Sequence, residues 1–224
     1  MPLADLAPSG LWAALLPPDV VAVETRRFNH SPLLYPDERS AVGRAIPKRI
    51  EEFAAGRACA REAMEWLGIA PGPLLRGADR RPGWPAGVIG SITHTEGYCA
   101  AAVAWASAYL GLGIDVERNG RLTEALQRRI CTGRELDRLG DLDADARQKA
   151  ATVIFSAKEA FYKSQSALAG AVIEFHDVEL QLHEGVFVVE PLRRLPAVLD
   201  GVSLSGRYAV EGELVFTGIA LAAP

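Results

Sequence analysis

Two short stretches of the chain carry side chains that can bind a metal ion together with a phosphate. Asp115 and Glu117 alternate with apolar residues at the end of a strand-like run, and this alternation places both carboxylates on one face. Further along, Glu159 and Lys163 stand four apart in a helical pattern and so share one side of a helix. Carboxylates held close together repel unless a cation lies between them. A hard divalent ion that phosphate and water also coordinate fits magnesium, and the lysines indicate the phosphate.

Both pairs also have an ordinary structural explanation. Acidic residues are common where a strand ends at solvent, which alone accounts for Asp115 and Glu117. Glu159 and Lys163 would form an ion pair on an exposed helix, which contributes only about 0.3–0.5 kcal/mol. The choice between structure and chemistry therefore depends on what the rest of the chain places beside these groups.

A helix in the first half carries two arginines on its apolar side. Pro47 suits a first helical turn, and apolar residues recur at helical spacing up to Gly68. Arg57 and Arg61 fall inside that apolar stripe. One explanation is that their stems pack while their charged ends reach solvent. Two such arginines in succession instead favour a bound anion, because an unpaired buried guanidinium is costly.

Further anion-binding candidates follow this helix. A predicted strand ends in Thr93 and His94, whose hydroxyl and imidazole groups can donate to an anion. An isolated histidine in such a place is usually structural, but this one is accompanied by other donors. The loop 71–87 is rich in proline and glycine, and a solvated basic loop is its ordinary explanation. That loop carries Arg76, Arg80 and Arg81.

The elements that would position these groups are helices and antiparallel strands. Thr132 and Glu135 have the spacing of a capping box, and a long helix is predicted over 143–168. Because helix followed by strands occurs twice, we predict an α+β fold with two domains, 1–107 and 108–224. The predicted strands are 20–24, 88–94, 98–105, 109–116, 172–175, 178–182, 186–189, 203–210 and 214–221.

Composition excludes several classes of protein. The chain has 224 residues, of which 49% are hydrophobic and 23% charged, and this is ample for a packed core. A net charge of -4 argues against a protein built mainly to hold nucleic acid. Three scattered cysteines indicate neither a disulfide framework nor a zinc site. No stretch reaches the ~18 apolar residues of a membrane span, so we expect a cytoplasmic protein.

Several short motifs together resemble the Sfp-type 4'-phosphopantetheinyl transferases. In the second half they are Gly113-Ile114-Asp115-Val116-Glu117 and Phe155-Ser156-Ala157-Lys158-Glu159-Ala160-Phe161-Tyr162-Lys163. Three motifs of the first half resemble the branch that includes enterobactin synthetase component D. They are Gly56-Arg57-Ala58-Cys59-Ala60-Arg61, Arg81-Pro82-Gly83-Trp84-Pro85 and Gly90-Ser91-Ile92-Thr93-His94. Each motif alone is weak, but their order and spacing match the family.

The resemblance implies both a fold and an activity. The fold is a pair of similar α+β subdomains related by a pseudo-twofold axis, with coenzyme A in the cleft between them. The enzyme would move the phosphopantetheine arm of coenzyme A to a serine of an acyl, peptidyl or aryl carrier protein, releasing adenosine 3',5'-bisphosphate. Such carriers serve the synthesis of siderophores, polyketides, nonribosomal peptides or fatty acids. A monomer is expected, because one chain would supply both halves of the site.

The resemblance also assigns roles to residues by their position in the motifs. The family's magnesium carboxylates are matched by Asp115, Glu117 and Glu159. Its phosphate-contacting lysines are matched by Lys158 and Lys163. The residues that fall where relatives hold the nucleotide and its phosphates are Arg49, Arg57, Arg76, Arg81 and the pair Thr93 and His94, with Arg80 as an alternative to either loop arginine.

The expected chemistry needs no covalent enzyme intermediate. Magnesium, Lys163 and His94 would stabilise the charge that gathers on the leaving phosphate. Glu159 would take the proton of the serine hydroxyl, either directly or through a metal-bound water. One alternative is a magnesium-dependent phosphodiester hydrolase or nucleotidyl transferase, which usually needs more acidic ligands or a basic nucleic-acid track. Another is a catalytically silent module that binds coenzyme A or carrier proteins.

Overall fold

The computed structural model describes residues 6–77, 81–165, 168 and 173–223. The chain divides into two compact units, Met1–Ser107 and Ala108–Pro224. Each unit contains a long helix and an antiparallel sheet, so the predicted α+β class is confirmed. The pseudo-twofold relation between the two units stays a prediction.

The first unit is built on a four-stranded antiparallel sheet in the order β1-β2-β4-β3. Its strands are β1 (Ala7–Pro8), β2 (Val21–Thr25), β3 (Val88–Thr95) and β4 (Tyr98–Trp105), and its helices are α1 (Gly10–Leu15), α2 (Pro36–Val42) and α3 (Pro47–Trp66). Pro47 lies in the first turn of α3, where a missing backbone N–H is harmless. The helix predicted from Pro47 to Gly68 is confirmed.

Small residues allow α3 to lie close to this sheet. A Cβ atom on Gly56 would stand only 2.8 Å from the Cγ2 atom of Ile92, so the glycine permits the close approach. Buried Ala58, Cys59 and Ala63 pack in the same core cluster. Because side chains alternate along a strand, His94 shares the α3-facing side of β3 with Ile92. The packing of α3 therefore decides which polar groups at the end of β3 meet the helix.

The second unit is built on a five-stranded antiparallel sheet in the order β5-β9-β8-β7-β6. Its strands are β5 (Tyr109–Arg118), β6 (Val178–His183), β7 (Val186–Pro191), β8 (Ser205–Glu211) and β9 (Leu214–Ala222). Its helices are α4 (Glu124–Ile130), α5 (Gly133–Gly140) and α6 (Ala144–Gln165). The predicted capping box is confirmed at the start of α5, where Glu135 N donates to Thr132 Oγ1 over 3.2 Å and Thr132 N donates to Glu135 Oε2 over 2.7 Å.

Two glycines of β5 bring the α6 backbone onto this strand. A Cβ atom on Gly113 would stand 1.8 Å from the carbonyl oxygen of Ala160, and one on Gly111 would stand 1.9 Å from that of Ser164. Only residues without a Cβ fit there. Asp115 and Glu117 follow on the same strand face, so this contact carries Glu159 and Lys163 of α6 to the carboxylates of β5.

The structure corrects one predicted strand. The strand predicted over 172–175 is not formed by its described residues, because Phe175–Asp177 is a 3-10 turn and Val172 lies outside the described part of the chain. The long helix is described as far as Gln165, and the residues over which the sequence placed its end, near Leu168, lie largely outside the described part of the chain. Within the described ranges, no helix is both long and apolar enough to cross a membrane.

Candidate active site

Asp115 is a buried carboxylate with a partner on each oxygen. Lys163 Nζ donates to its Oδ1 over 2.6 Å, and Ser156 Oγ donates to its Oδ2 over 2.8 Å. Ser156 is itself 2.9 Å from the hydroxyl of Thr217, which faces Asp115 across the β5–β9 pair. These contacts fix the orientation of the carboxylate. The sequence did not single out Ser156, although it stands inside the motif that contains Glu159.

Glu117 and Glu159 lie in the electrostatic neighbourhood of Asp115. Burial first, and then the charges of Asp115 and Glu159, raise the pKa of Glu117 from 4.5 to about 7 against the opposing charge of Lys163. Burial also raises the pKa of Glu159, with a second contribution from Asp115. The structure thus brings together the three predicted carboxylates, and all three repel one another's negative charge.

The chemistry of this donor set fits a divalent cation. Mutual repulsion among partly buried carboxylates is what a bound Mg²⁺ would relieve, and carboxylate oxygens are its preferred protein ligands. In the described part of the chain, no three His, Cys, Asp or Glu side chains are already arranged as a metal cage. Binding would therefore require Glu117 and Glu159 to turn towards the oriented carboxylate of Asp115.

Lys163 lies within this group, as predicted from its spacing to Glu159. Its ammonium contacts Asp115 and also donates to the carbonyl oxygen of Ile114 over 3.2 Å. The side chain remains 30% exposed. Lys163 is thus both a counter-charge for the carboxylates and accessible from solvent, and its predicted phosphate contact stays a prediction.

The structure contradicts the predicted phosphate contact of Lys158. Its side chain is fully buried, with a relative exposure of 0%, and its ammonium donates to three acceptors inside the second unit. These are Glu135 Oε2 at 2.8 Å, the Ile130 carbonyl at 2.9 Å and the Phe175 carbonyl at 2.8 Å. An ammonium has three N–H donors, so none is left for a ligand. Neighbouring lysines in one motif look alike in sequence, and only packing separates the buried one from the accessible one.

A pocket of about 410 Å³ opens beside Glu159 in the second unit. The rings of Tyr162 and Phe175 meet edge to face there, with centroids 5.3 Å apart. The Tyr162 hydroxyl is buried and makes no hydrogen bond to any described residue. Sequence reasoning missed this pocket, because its far wall lies in an irregular segment. Its lining residues are Arg129, Glu159, Tyr162, Ile173, Glu174, Phe175 and His176.

A separate group of cationic side chains lies in the first unit, around α3. The Arg57 guanidinium is buried, lies 4.2 Å from the centre of the Phe53 ring, and donates from Nε to the Leu74 carbonyl over 2.7 Å. Arg76 lies over the same ring at 5.8 Å. Arg49 Nη1 is 2.8 Å from His94 Nε2. The predicted nucleotide-binding residues are therefore held on α3 (Arg49 and Arg57), on β3 (His94) and on the loop between these elements (Arg76).

The charge balance at Arg57 fits an anion site. Burial is the main cause that lowers the pKa of Arg57 to about 10. Glu38 opposes this shift, and the nearby charges of Arg76, Arg61 and Arg49 contribute to it. Positive charges crowded around a buried guanidinium are stabilised by a bound anion. Its burial also rules out the explanation that the Arg57 head reaches solvent.

Arg61 has an internal partner. Its Nη1 donates to both oxygens of the fully buried Glu38, at 2.9 and 3.0 Å. Glu38 also accepts from Leu74 N over 2.8 Å. The anion that the sequence placed beside this second arginine is thus a side chain of the protein, and only Arg57 keeps the interpretation of a ligand site.

The remaining predicted residues are less closely grouped. Thr93 is 3% exposed and points to the sheet face opposite to that of His94, so this pair does not present two side chains to one ligand. Arg81 is exposed in the loop, where its carbonyl accepts from Gly77 N over 2.8 Å. Arg80, the alternative phosphate contact, lies outside the described residues.

Comparisons with known proteins extend over both units. A family model described as the 4'-phosphopantetheinyl transferase N-terminal domain matches residues 37–104, and one described as the 4'-phosphopantetheinyl transferase superfamily matches residues 111–198. The chain is 41% identical over 226 residues to 4'-phosphopantetheinyl transferase Svp of Streptomyces mobaraensis, which covers 95% of this chain and 89% of that protein.

Two further relatives are less similar. The 4'-phosphopantetheinyl transferase PptT of Mycobacterium tuberculosis is 33% identical over 204 residues, covering 83% of this chain and 85% of that protein. Enterobactin synthase component D of Escherichia coli O157:H7 is 32% identical over 146 residues, covering 64% of this chain and 68% of that protein. The resemblance seen in the motifs therefore extends well beyond them.

Proposed function

The chain belongs to the 4'-phosphopantetheinyl transferase superfamily, whose members move phosphopantetheine from coenzyme A to carrier proteins, and we propose how its residues perform this transfer. The acceptor is a serine hydroxyl of the carrier. Its oxygen bonds to the phosphorus that carries the pantetheine arm, and the bond from that phosphorus to the bridging oxygen breaks. Adenosine 3',5'-bisphosphate leaves, and the serine proton goes to a base on the enzyme.

Asp115, Glu117 and Glu159 would hold the Mg²⁺ that assists this reaction. The ion would supply a Lewis acid for the diphosphate oxygens. Asp115 is oriented by Ser156 and Lys163, which hold its two oxygens. Lys163, partly exposed beside it, stabilises the negative charge that develops on the leaving phosphate. The grouping of three mutually repelling carboxylates beside one lysine is the observation that carries this proposal.

Glu159 is the base for the serine proton. Burial and Asp115 raise the pKa of Glu159 in the metal-free site, and a bound Mg²⁺ would lower it again, so the role of base rests on the position of this carboxylate. Glu159 also lines the pocket of the second unit, where an acceptor oxygen can approach it.

The same pocket is suited to the pantetheine arm. Aromatic walls from Tyr162 and Phe175 fit an extended uncharged chain. An arm in this pocket would reach its phosphate at Glu159. The adenosine end, with its phosphates, would be held by the arginines and His94 of the first unit. A monomeric working unit and a cytoplasmic location remain our predictions.

Intact-mass measurement tests the proposed reaction. An apo carrier protein incubated with this protein, coenzyme A and Mg²⁺ should gain the mass of one phosphopantetheine, and excess chelator should prevent the gain. A silent binding module would bind coenzyme A and leave the carrier unchanged. A hydrolase would consume coenzyme A without modifying the carrier.

Replacing Arg57 by alanine should weaken the binding of adenosine 3',5'-bisphosphate by about tenfold or more, because charge-assisted hydrogen bonds contribute about 1.5–3 kcal/mol. Calorimetric titration measures the dissociation constant. The matched control is Arg44→Ala, which removes an exposed arginine of the same unit. If the dissociation constant does not change in Arg57→Ala, Arg57 does not bind the nucleotide, and its role is the structural bond to the Leu74 carbonyl.

The raised pKa of Glu117 predicts how Mg²⁺ affects stability at different pH values. A carboxyl group that holds its proton more tightly when folded makes the protein less stable as pH rises from 4.5 through about 7. Mg²⁺ competes with that proton, so its stabilising effect should grow over the same range. Thermal midpoints with and without Mg²⁺ between these pH values measure it. In Glu117→Gln the stabilisation by Mg²⁺ should depend less on pH. If Mg²⁺ stabilises the wild-type protein equally at every pH, Glu117 is not a ligand of the ion.

A further inference from the structure

All three N–H donors of the Lys158 ammonium are used within the second unit, and the proposed chemistry gives this charge no role. Its three acceptors belong to three segments: the end of α4 at Ile130, the first turn of α5 at Glu135 and the 3-10 turn at Phe175. All three distances are 2.8–2.9 Å. One ammonium therefore joins α6 to three other parts of the unit.

Glu135 extends this junction to the sheet. Its Oε2 accepts from Lys158 and from Thr132 N, and its Oε1 accepts from Leu180 N of β6 over 2.7 Å. The Glu135 side chain is fully buried, like that of Lys158. Every charged atom of the pair is hydrogen-bonded, which is the condition under which a buried ion pair is tolerated.

Only one of these contacts reaches the proposed active site. Phe175 forms a wall of the pocket, and Glu159, the residue after Lys158, lines the same pocket from α6. The bond from Lys158 to the Phe175 carbonyl thus connects the helix that carries Glu159 directly to the opposite wall. This wall lies in a 3-10 turn outside the sheet, where the Arg193–Asp177 ion pair and the Phe155 ring also contact it. Within these contacts, the Lys158 bond ties the backbone of the turn to α6.

We infer that Lys158 is a positioning residue, which sets the distance between Glu159 and the Phe175 wall and so aligns the pantetheine arm with the carboxylates. The inference rests on the proposed function. Lys158 itself touches no substrate. Its effect is expected in how the arm of coenzyme A binds, while the adenosine end, proposed to bind in the first unit, is left unaffected.

A lysine is better suited than an arginine to join three segments at one point. Its three donors point apart from one nitrogen and can reach three acceptors from different directions. The planar fork of an arginine directs its donors in one plane and needs more room, so it is not a conservative replacement here. Methionine fills similar space but leaves the Phe175 carbonyl without its donor.

Lys158→Met should therefore weaken binding of 4'-phosphopantetheine by about tenfold, the loss equivalent to one buried hydrogen bond. The dissociation constant of adenosine 3',5'-bisphosphate should stay within about twofold. Calorimetric titration of both fragments gives this comparison. The control Leu139→Ala truncates a buried leucine of α5 that does not line the pocket. It should lower the thermal midpoint and leave both constants unchanged.

Amide hydrogen exchange provides a second readout that needs no substrate. In Lys158→Met, exchange at residues 175–178 should rise by about tenfold more than in Leu139→Ala. If Lys158→Met does not fold, Lys158→Met/Glu135→Gln removes both charges and should fold, and it should still show faster exchange at these residues. Unchanged exchange there, or an equal loss of affinity for both fragments, would overturn the positioning role. Failure of the wild-type protein to modify a carrier would instead refute the proposed function.

Discussion

Replacing Glu159 by glutamine is expected to reduce phosphopantetheine transfer by about a thousandfold or more, since a positioned general base alone contributes about 10²–10⁴. The substitution keeps the size of the side chain and removes its charge. It therefore removes a ligand from the proposed magnesium site together with the base for the serine proton. Initial rates of carrier modification, followed by intact mass, measure the effect.

The fold should survive this change, because Glu159 makes the local charge balance less favourable. Its pKa is raised by burial and by Asp115, so a neutral side chain relieves repulsion. The thermal midpoint without metal should stay equal or rise. Glu184→Gln, in an exposed turn of the same unit, is the matched control and should retain full activity. Near-normal turnover of Glu159→Gln would remove this residue from the reaction.

The second large effect is expected at Gly113, where the missing side chain allows α6 to lie against β5. In Gly113→Ala the new methyl group would stand 1.8 Å from the Ala160 carbonyl oxygen and 2.9 Å from the Ser164 nitrogen. Both are backbone atoms of α6, which cannot turn aside like a flexible side chain. The helix must move away from β5, and we expect a loss of about 3 kcal/mol or more in the free energy of unfolding.

Activity should fall further than stability explains. Ala160 follows Glu159 in the chain, so the displaced helix carries Glu159 and Lys163 away from Asp115. Urea denaturation gives the free energy of unfolding, and transfer assays below the unfolding transition give the activity of the folded fraction. The control is Gly140→Ala, where a Cβ atom meets nothing within 4 Å. Full activity of folded Gly113→Ala would contradict the idea that this contact assembles the site.

The sequence predicted the long helices and the main strands because their signals are local. Pro47 and Gly68 bound α3 by backbone rules that hold without any knowledge of the fold. The segment near Phe175 was predicted wrongly as a strand, because short apolar runs have no distinctive period. Its 3-10 turn is held by the local Glu174–Asp177 capping contacts together with contacts from other elements, among them Lys158 of α6.

The amino-acid sequence by itself determined the family, the α+β class and the set of charged residues from which a site can be made. Alternation along β5 placed Asp115 and Glu117 on one face, and helical spacing placed Glu159 near Lys163. Only the tertiary structure decided what each charge faces. It gave Arg61 a buried partner in Glu38 and enclosed Lys158 among three acceptors. The physical reason is that burial and counter-charges arise from packing between distant segments, whereas spacing along the chain reports only local geometry.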